Sequence, residues 1–302
     1  MLAISGGQDS MALLGLLRDL RHLHHWRLQL WHGDHGWQQN SAKIAAELSA
    51  WCKTEGMDLQ ISRAKAGQAD SEAKARSWRY EQLGLKAARL GSDVVTAHTA
   101  SDRAEGVLMN LARGCDIDGL SALRHVRPLS DQSADGLHLR RPLLDLTRKD
   151  TAEVCANLQL PIWLDPSNAD QSLERNRIRH QVIPVLNELH PGCERRIAGL
   201  SERLTQVRET HAGLCDLALQ TLSHEAGLRR QTIRNLDDPT CRTLLATWLK
   251  KKGAPSITSQ TLHELSHRLR AGSGDGQADL GTNWSLQWNR STIRLINTAE
   301  QP

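Results

Sequence analysis

Residues 5–10 read Ser-Gly-Gly-Gln-Asp-Ser, with a short β-rich run before them and a helical pattern after them. Glycines let a backbone come close to a ligand, and the free N–H groups and partial positive charge of a helix N-terminus attract anions. Asp9 can hold Mg²⁺ against bound phosphates. The segment therefore predicts a phosphate-binding turn, although a plain tight turn with Ser10 as the helix cap is the alternative reading.

The first third of the chain alternates short β-rich runs with longer helical patterns. Predicted strands cover residues 2–4, 28–32, 59–63 and 93–97, and predicted helices cover residues 10–24, 40–55, 71–90 and 102–113. This order predicts an α/β fold with a doubly wound, mainly parallel sheet. Ligands of such sheets bind beyond the carboxyl ends of the strands, so we expect the loops that follow strands to carry the chemistry.

The pattern changes after the sheet. We predict a catalytic domain over residues 1–180, a helical linker over 181–212 and a small, mostly helical substrate-binding domain over 213–302. Helical patterns cover residues 241–252 and 259–271, and the alternation of Trp284, Leu286 and Trp288 predicts a terminal hairpin.

Composition excludes several classes of protein. The net charge of +4 permits an anionic partner without requiring one. The six cysteines are scattered and form no C-x-x-C pair, which argues against a zinc or iron–sulfur site and for a reducing cytoplasm. The apolar stretch at residues 11–17 is far shorter than the roughly 20 residues of a membrane span, so we expect no membrane association.

Two acidic residues follow the fourth predicted strand. Asp102 and Glu105 are three positions apart on one helical face, which suits a clamp for an ammonium group. Acids in a first turn also complement the helix dipole, and spacing alone does not separate the two readings.

Two arginine-rich stretches have similarly open readings. Arg76 and Arg79 lie on one side of a predicted helix with Glu72, as they would in a solvated salt-bridge ladder. Residues 175–179 place three arginines beside Asn176, which suits phosphate binding and base reading but also a basic helix entry.

The Ser-Gly-Gly-x-Asp-Ser string resembles the signature of N-type ATP pyrophosphatases, the PP-loop superfamily. Together with further motifs in the same order, the chain resembles the tRNA(Ile)-lysidine synthetases, in a short form that lacks an extra C-terminal domain. These motifs are H-x-x-H-G at 32–36, E-A-x-A-R at 72–76, H-x-x-x-D-x-x-E at 98–105, L-x-R-G at 111–114, R-P-L-L at 141–144, D-P-S-N at 165–168 and R-N-x-I-R at 175–179.

The resemblance implies a ligase that uses ATP and Mg²⁺. Such an enzyme adenylates the 2-carbonyl of the wobble cytosine in a CAU-anticodon tRNA(Ile), and the ε-amine of free L-lysine then displaces AMP to form lysidine. A homodimer is a base-rate expectation only.

Carried over by position, the resemblance gives these residues their roles. ATP binding falls to Ser5, Gly6, Gly7, Gln8, Asp9, Ser10 and His35, and metal binding to Asp9. Catalysis falls to Asp9, Arg76, Asp102 and Glu105, and lysine binding to Asp102 and Glu105. The intermediate pocket falls to Arg113 and Gly114, and tRNA binding to Asn168, Arg175, Asn176 and Arg179. His35 also has a structural reading, as a packed or capping residue after a strand.

The chain departs from the family pattern H-H-x-D-D-x-x-E-T at Thr99, Ser101 and Gly106, so a second histidine, an extra aspartate and a capping threonine are expected to be absent. The main alternative function is another PP-loop tRNA-modifying enzyme, such as a tRNA thiolase, against which the scattered cysteines argue. An amidotransferase-type synthetase and a non-enzymatic nucleotide- or RNA-binding module are further alternatives.

Overall fold

Strand β1 (Leu2–Ala3) occupies the middle of a six-stranded sheet, directly before the glycine turn. The computed structural model describes residues 1–36, 41–121, 123–129, 136–163, 170–224, 227–272 and 274–297, without the side chain of Glu72. The chain divides into two compact units, Met1–Gln206 and Val207–Pro302. Within the described ranges, no helix combines the length and the apolar character needed to cross a membrane.

The N-terminal unit alternates strands and helices through its first half. In chain order after β1, its elements are α1 (Gln8–His24), β2 (Leu30–Asp34), α2 (Ser41–Thr54), β3 (Leu59–Arg63), α3 (Glu72–Leu90), β4 (Val94–Val95), α4 (Ala100–Ala112), α5 (Ile117–Leu120), β5 (Val126–Pro128), β6 (His138–Arg140) and α6 (Arg148–Asn157). Each of the four strands and four helices predicted for the first third of the chain is found, with its ends shifted by at most a few residues.

The strand order of this sheet is β3-β2-β1-β4-β6-β5. Five strands run parallel, and only β5 is antiparallel to its neighbour β6. The predicted doubly wound, mainly parallel sheet is therefore confirmed. Because β1, β4 and β6 are adjacent and parallel, the segments that follow them emerge at the same edge of the sheet.

Helix α1 holds the glycine turn against this sheet through its apolar face. Met11 and Leu14 are fully buried in a core that includes Leu2 and Leu30. Gly15 faces Leu160, and a Cβ atom there would lie 2.7 Å from a Leu160 methyl group. A larger residue at position 15 would push α1 away from this core, because packed interiors have little spare volume.

Helices follow the sheet, as predicted. α7 (Glu174–Arg177), a π-helical turn (Ile178–Val182) and α8 (Ile183–Leu189) precede the long helix α9 (Cys193–Leu222). Pro191 and Gly192 lie between α8 and α9, and Gly192 has φ +77°. Proline and a left-handed glycine both stop a helix.

The C-terminal unit combines helices with a five-stranded antiparallel sheet of order β7-β8-β11-β10-β9. After α9 its elements are β7 (Ser223–His224), β8 (Gly227–Arg229), α10 (Arg230–Arg234), α11 (Asp238–Lys251), α12 (Ser259–Ala271), β9 (Gly276–Gly281), β10 (Trp284–Trp288) and β11 (Thr292–Asn297). The predicted hairpin is β10 and β11, and Leu286 pairs with Leu295. The other three strands were not predicted.

A buried arginine organises the loops of this unit. Arg230 is 1% exposed, and its guanidinium donates to the carbonyls of Leu269, Gly272, Gly274 and Asn289 at 2.6–3.2 Å. These carbonyls come from the end of α12 and from the segments before β9 and β11. One side chain therefore ties three segments together.

Candidate active site at the carboxyl edge of the parallel sheet

The turn after β1 has the geometry that the sequence predicts. Gly6 adopts φ +83°, and a Cβ atom there would lie 3.3 Å from the Trp163 ring. Ser10 Oγ donates to the Gly7 carbonyl at 2.8 Å and accepts from the Ser5 amide at 3.2 Å. Gly7 is the N-cap of α1 and offers no side-chain cap. The first amides of a 17-residue helix thus face the turn without a capping side chain, as an anion site requires.

Helix α6 anchors the polar residues of this turn. Asp9 Oδ1 accepts from Thr151 Oγ1 at 2.6 Å, and Asp9 Oδ2 lies 3.4 Å from the Arg148 guanidinium. The Gln8 side-chain amide donates to the Arg148 carbonyl at 2.6 Å and to Thr151 Oγ1 at 2.8 Å. Burial raises the pKa of Asp9, opposed by Arg148 and Thr151. Neither Thr151 nor Arg148 was predicted to be a site residue.

Helix α4 begins with a capping box. Thr99 Oγ1 accepts from the Asp102 amide at 3.3 Å, and Asp102 Oδ2 accepts from the Thr99 amide at 2.8 Å. The departure at Thr99 therefore supplies a cap for the N-terminal end of α4, while position 106 holds glycine in place of the family's threonine. Ser101 Oγ accepts from the Arg148 amide at 2.9 Å. This bond connects α4 to α6, the helix whose Arg148 and Thr151 contact Asp9.

The two predicted clamp acids each contact arginines of the same chain. Arg175 Nη2 donates to Asp102 Oδ1 at 2.6 Å, and its Nε donates to Glu105 Oε2 at 2.7 Å. Arg179 donates to both carboxylate oxygens of Glu105, at 2.6 and 2.8 Å. The Glu105 side chain is fully buried. The acidic pair thus binds two guanidinium groups of the same chain, and its role as a clamp for an ammonium group stays a prediction.

The two oxygens of Asp102 have different partners, because Oδ2 caps the helix while Oδ1 accepts from Arg175. Burial raises the pKa of Asp102, but Arg175, His98 and the Thr99 amide outweigh it, so the pKa lies below its usual value. His98, which precedes the cap, has its pKa lowered to about 4 by burial and by Arg141, Arg175 and Arg76, against the opposing effect of Asp102.

The remaining predicted site residues lie at several places. Arg113 caps the far end of α4 and pairs with Glu174, and Gly114 follows it with φ +73°. Asn176 is 5% exposed and donates to the Asp170 carbonyl at 2.8 Å. His35 directly follows β2, and Asn168 lies outside the described residues. The tRNA-binding role of residues 175–179 stays a prediction.

A second group of arginines lies around Tyr80, and the sequence did not indicate that these arginines come together. The Cζ atoms of Arg76 and Arg127 lie 5.7 and 5.3 Å from the ring centroid of Tyr80. Arg141, which follows β6, lies near Tyr80 and lowers the pKa of its hydroxyl group. Arg76, predicted to be catalytic, therefore belongs to this group, and Arg141 acts on the pKa of His98 beside the acidic pair.

A glycine turn after the first strand of a parallel sheet, with acidic and basic side chains at the same edge, defines an ATP-binding domain of the PP-loop class. The family model described as "PP-loop domain" matches residues 1–186. The fold is also similar to that of the U34-tRNA thiolase NcsA from Methanococcus maripaludis, with a TM-score of 0.55 and 18% identity over 68% of this chain and 70% of that one.

Curated relatives narrow this class. The tRNA(Ile)-lysidine synthase of Parasynechococcus marenigrum strain WH8102 is 52% identical over 98% of this chain and 88% of its own length. That of Prochlorococcus marinus strain SARG is 40% identical over 98% of this chain and 90% of its own length. The chain belongs to the tRNA(Ile)-lysidine synthase family.

Proposed function

We propose that this chain joins free L-lysine to the wobble cytidine of a CAU-anticodon tRNA(Ile) at the expense of ATP. The cytosine 2-carbonyl oxygen attacks the α-phosphorus of ATP and pyrophosphate leaves. The lysine ε-amine then adds to carbon 2, AMP departs with that oxygen, and the amine loses protons. Family membership supports this reaction, and the geometry of the site supplies groups for both steps.

The observation that carries the proposal is the acidic pair beside the phosphate turn. Asp102 and Glu105 bind two guanidinium groups within 2.8 Å. The contacts from Asp9 through Arg148 to Ser101 connect the helix that bears this pair to the turn. A cation site thus lies next to an anion site, as transfer of an amine onto an adenylated base requires.

The glycine turn is suited to hold the triphosphate. Backbone amides at the start of α1 and the hydroxyl groups of Ser5 and Ser10 are donors for phosphate oxygens. The Arg148 guanidinium lies beside this turn and adds positive charge where pyrophosphate develops.

Asp9 fits Mg²⁺ binding. Its carboxylate is largely buried at the helix start, and Mg²⁺ is commonly held by one or two carboxylates together with substrate phosphates. The ion would neutralise phosphate charge and favour the departure of pyrophosphate. Thr151, which donates to Asp9, keeps this carboxylate oriented.

The acidic pair orients the lysine amine. Carboxylates bind an ammonium group by charge-assisted hydrogen bonds, and reaction requires that the amine lose a proton before it attacks. Arg175 is one-third exposed while Arg179 is 15% exposed, so Arg175 is the partner that can move aside for lysine at the lower cost.

The test is transfer of radiolabelled lysine in the presence of ATP to unmodified transcripts of tRNA(Ile) and tRNA(Met), both with CAU anticodons. We expect label on the isoleucine transcript and stoichiometric AMP. Absence of labelled RNA in the presence of active ATP turnover would contradict the proposal, and sulfur incorporation would support a thiolase instead.

Variants locate the amine site. Asp102→Asn keeps a helix-capping oxygen but removes the charge, so we expect the KM for lysine to rise by about tenfold or more while tRNA affinity changes little. Asp58→Asn is the matched control, because Asp58 is exposed and precedes β3 at the opposite edge of the sheet. Equal losses of tRNA affinity and lysine use would contradict this assignment.

A further inference from the structure

Three arginines from separate segments meet around Tyr80, the one tyrosine of the chain. Arg76 and Tyr80 are one turn apart on α3, Arg127 lies on β5, and Arg141 follows β6. Arg76 and Arg127 lie over the ring, and Arg141 is near enough to lower the pKa of the hydroxyl group. Chain segments far apart in sequence therefore bring three positive charges to one aromatic side chain.

This arginine cluster has no acidic counterpart in the described ranges. Among the ion pairs found there, no carboxylate pairs with any of the three arginines, whereas the neighbouring Arg140 pairs with Asp93. Burial raises the pKa of Tyr80, but Arg141, Arg76 and Arg127 outweigh it and lower the net value. Positive charge that no acid balances destabilises the protein unless an anion compensates it.

Arg141 is the central member of the cluster. It is 2% exposed, and its Nη1 donates to the Arg124 carbonyl at 2.8 Å. Its Nε atom is buried and makes no hydrogen bond within the described structure. A buried charged donor that lacks an acceptor is destabilising, so an incoming acceptor is strongly favoured there.

The cluster lies at the functional edge of the sheet. Arg141 follows β6, and the adjacent parallel strand β4 leads to His98 and then to α4. Arg141 and Arg76 both act on His98, which lies next to the Thr99 cap. A ligand bound by these arginines would therefore be close to the acidic pair.

We propose that Arg76, Arg127 and Arg141, arranged around Tyr80, form a binding site for a phosphate group. Guanidinium forks match phosphate oxygens in geometry and keep their charge at every physiological pH. The proposal rests on the proposed function for the source of that phosphate, which is either the nucleotide and its pyrophosphate product or the RNA backbone beside the modified base.

The experiment measures binding rather than turnover. Titration calorimetry gives the affinities of the full-length chain for inorganic pyrophosphate and for a CAU anticodon stem-loop RNA at several salt concentrations. The variants are Arg141→Gln and Arg127→Gln, and Arg140→Gln is the matched control because this neighbouring arginine already has Asp93 as its partner. Thermal unfolding reports whether each variant is folded.

We expect Arg141→Gln to lose about tenfold or more in affinity for one of the two probes, and Arg140→Gln to lose none. Loss for pyrophosphate assigns the site to the nucleotide. Loss for RNA, with a salt slope smaller by about 0.7–1, assigns it to the RNA backbone. If neither affinity changes, the proposal is wrong.

The variant Arg127→Gln keeps the proposal testable if Arg141→Gln does not fold. Arg127 is half-buried, so Arg127→Gln removes one charge with little packing loss, and unchanged affinity for both probes in that variant would also overturn the site. Lysine transfer by the wild-type chain is scored separately. A chain that transfers no lysine but loses phosphate affinity on Arg141→Gln contradicts the proposed function and retains this site.

Discussion

The two units bury an arginine in opposite ways. Arg230 in the C-terminal unit is 1% exposed and Arg141 in the N-terminal unit is 2% exposed. The Arg230 guanidinium donates to four backbone carbonyls, whereas Arg141 has one such carbonyl and a buried Nε without an acceptor. Burial lowers the pKa of both side chains.

The difference shows what burial of a charge means in each unit. A buried arginine whose three guanidinium nitrogens all have protein acceptors holds the fold together, because its hydrogen bonds offset its desolvation. A buried arginine with unused donors among like charges retains binding capacity. The same residue type at nearly the same exposure therefore stabilises a fold in one unit and prepares a site in the other.

The strongest test of this contrast is Arg230→Met. It leaves four carbonyls of the C-terminal unit without their donor, and we expect the free energy of unfolding to fall by roughly 3–5 kcal/mol. Urea unfolding followed by tryptophan fluorescence measures this loss, since Trp248 and Trp288 are in that core. Arg234→Met, at an exposed position of the same helix, is the control. A loss below about 1 kcal/mol would remove the structural role.

A smaller effect is expected where carboxylates compensate the arginine. Arg179→Met leaves the fully buried Glu105 with Arg175 alone, and we expect the N-terminal unit to lose about 2–3 kcal/mol of unfolding free energy. In the double variant with Glu105→Gln the losses should be less than additive, since the two side chains interact directly. Arg177→Met is the exposed control. Full additivity would contradict the pairing.

The smallest expected effect concerns His98. Its folded pKa of about 4 lies below the ordinary 6.5, so the unfolded chain takes up a proton first as the pH falls. The contribution of neutral His98 is therefore complete above pH 6.5 and decreases toward pH 4. We expect His98→Asn to reduce this decrease in unfolding free energy, measured by urea titration at each pH, by on the order of 1 kcal/mol relative to the exposed control His22→Asn. Parallel wild-type and variant profiles would show that His98 is not buried beside positive charge.

The sequence predicts the N-terminal sheet well because the hydrophobic periodicity and the turn residues there indicate the same strand and helix boundaries. The strand and helix ends from β1 to α4 lie within a few residues of the predictions, and the Gly6 turn has the expected left-handed backbone. β5 and β6 were missed because each has three residues, too few to show an alternation. In the C-terminal unit the tryptophan-rich hairpin was recognised by its alternation, whereas β9 is as long as β11 but has only two apolar side chains, Ala278 and Leu280.

The site residues also differ in whether a local sequence pattern could indicate them. Asp102 and Glu105 share a helical face, so their spacing indicates a cation site without a tertiary structure. Thr151 and Arg141 reach the site from distant segments, and no local pattern reports which side chains meet. Arg175 was interpreted as a phosphate or base contact or as part of a basic helix entry, because its carboxylate partners lie 70 or more positions earlier in the chain.

The cap on α4 sets how many acceptors the acidic pair can offer. With Asp102 Oδ2 engaged by Thr99, the oxygens that remain are Asp102 Oδ1 and the two of Glu105. A primary ammonium carries three N–H bonds, so donors and acceptors match one to one. A trimethylated side-chain nitrogen keeps its charge but has nothing to donate, so it could not replace the hydrogen bonds that Arg175 gives to Asp102 Oδ1 and Glu105 Oε2.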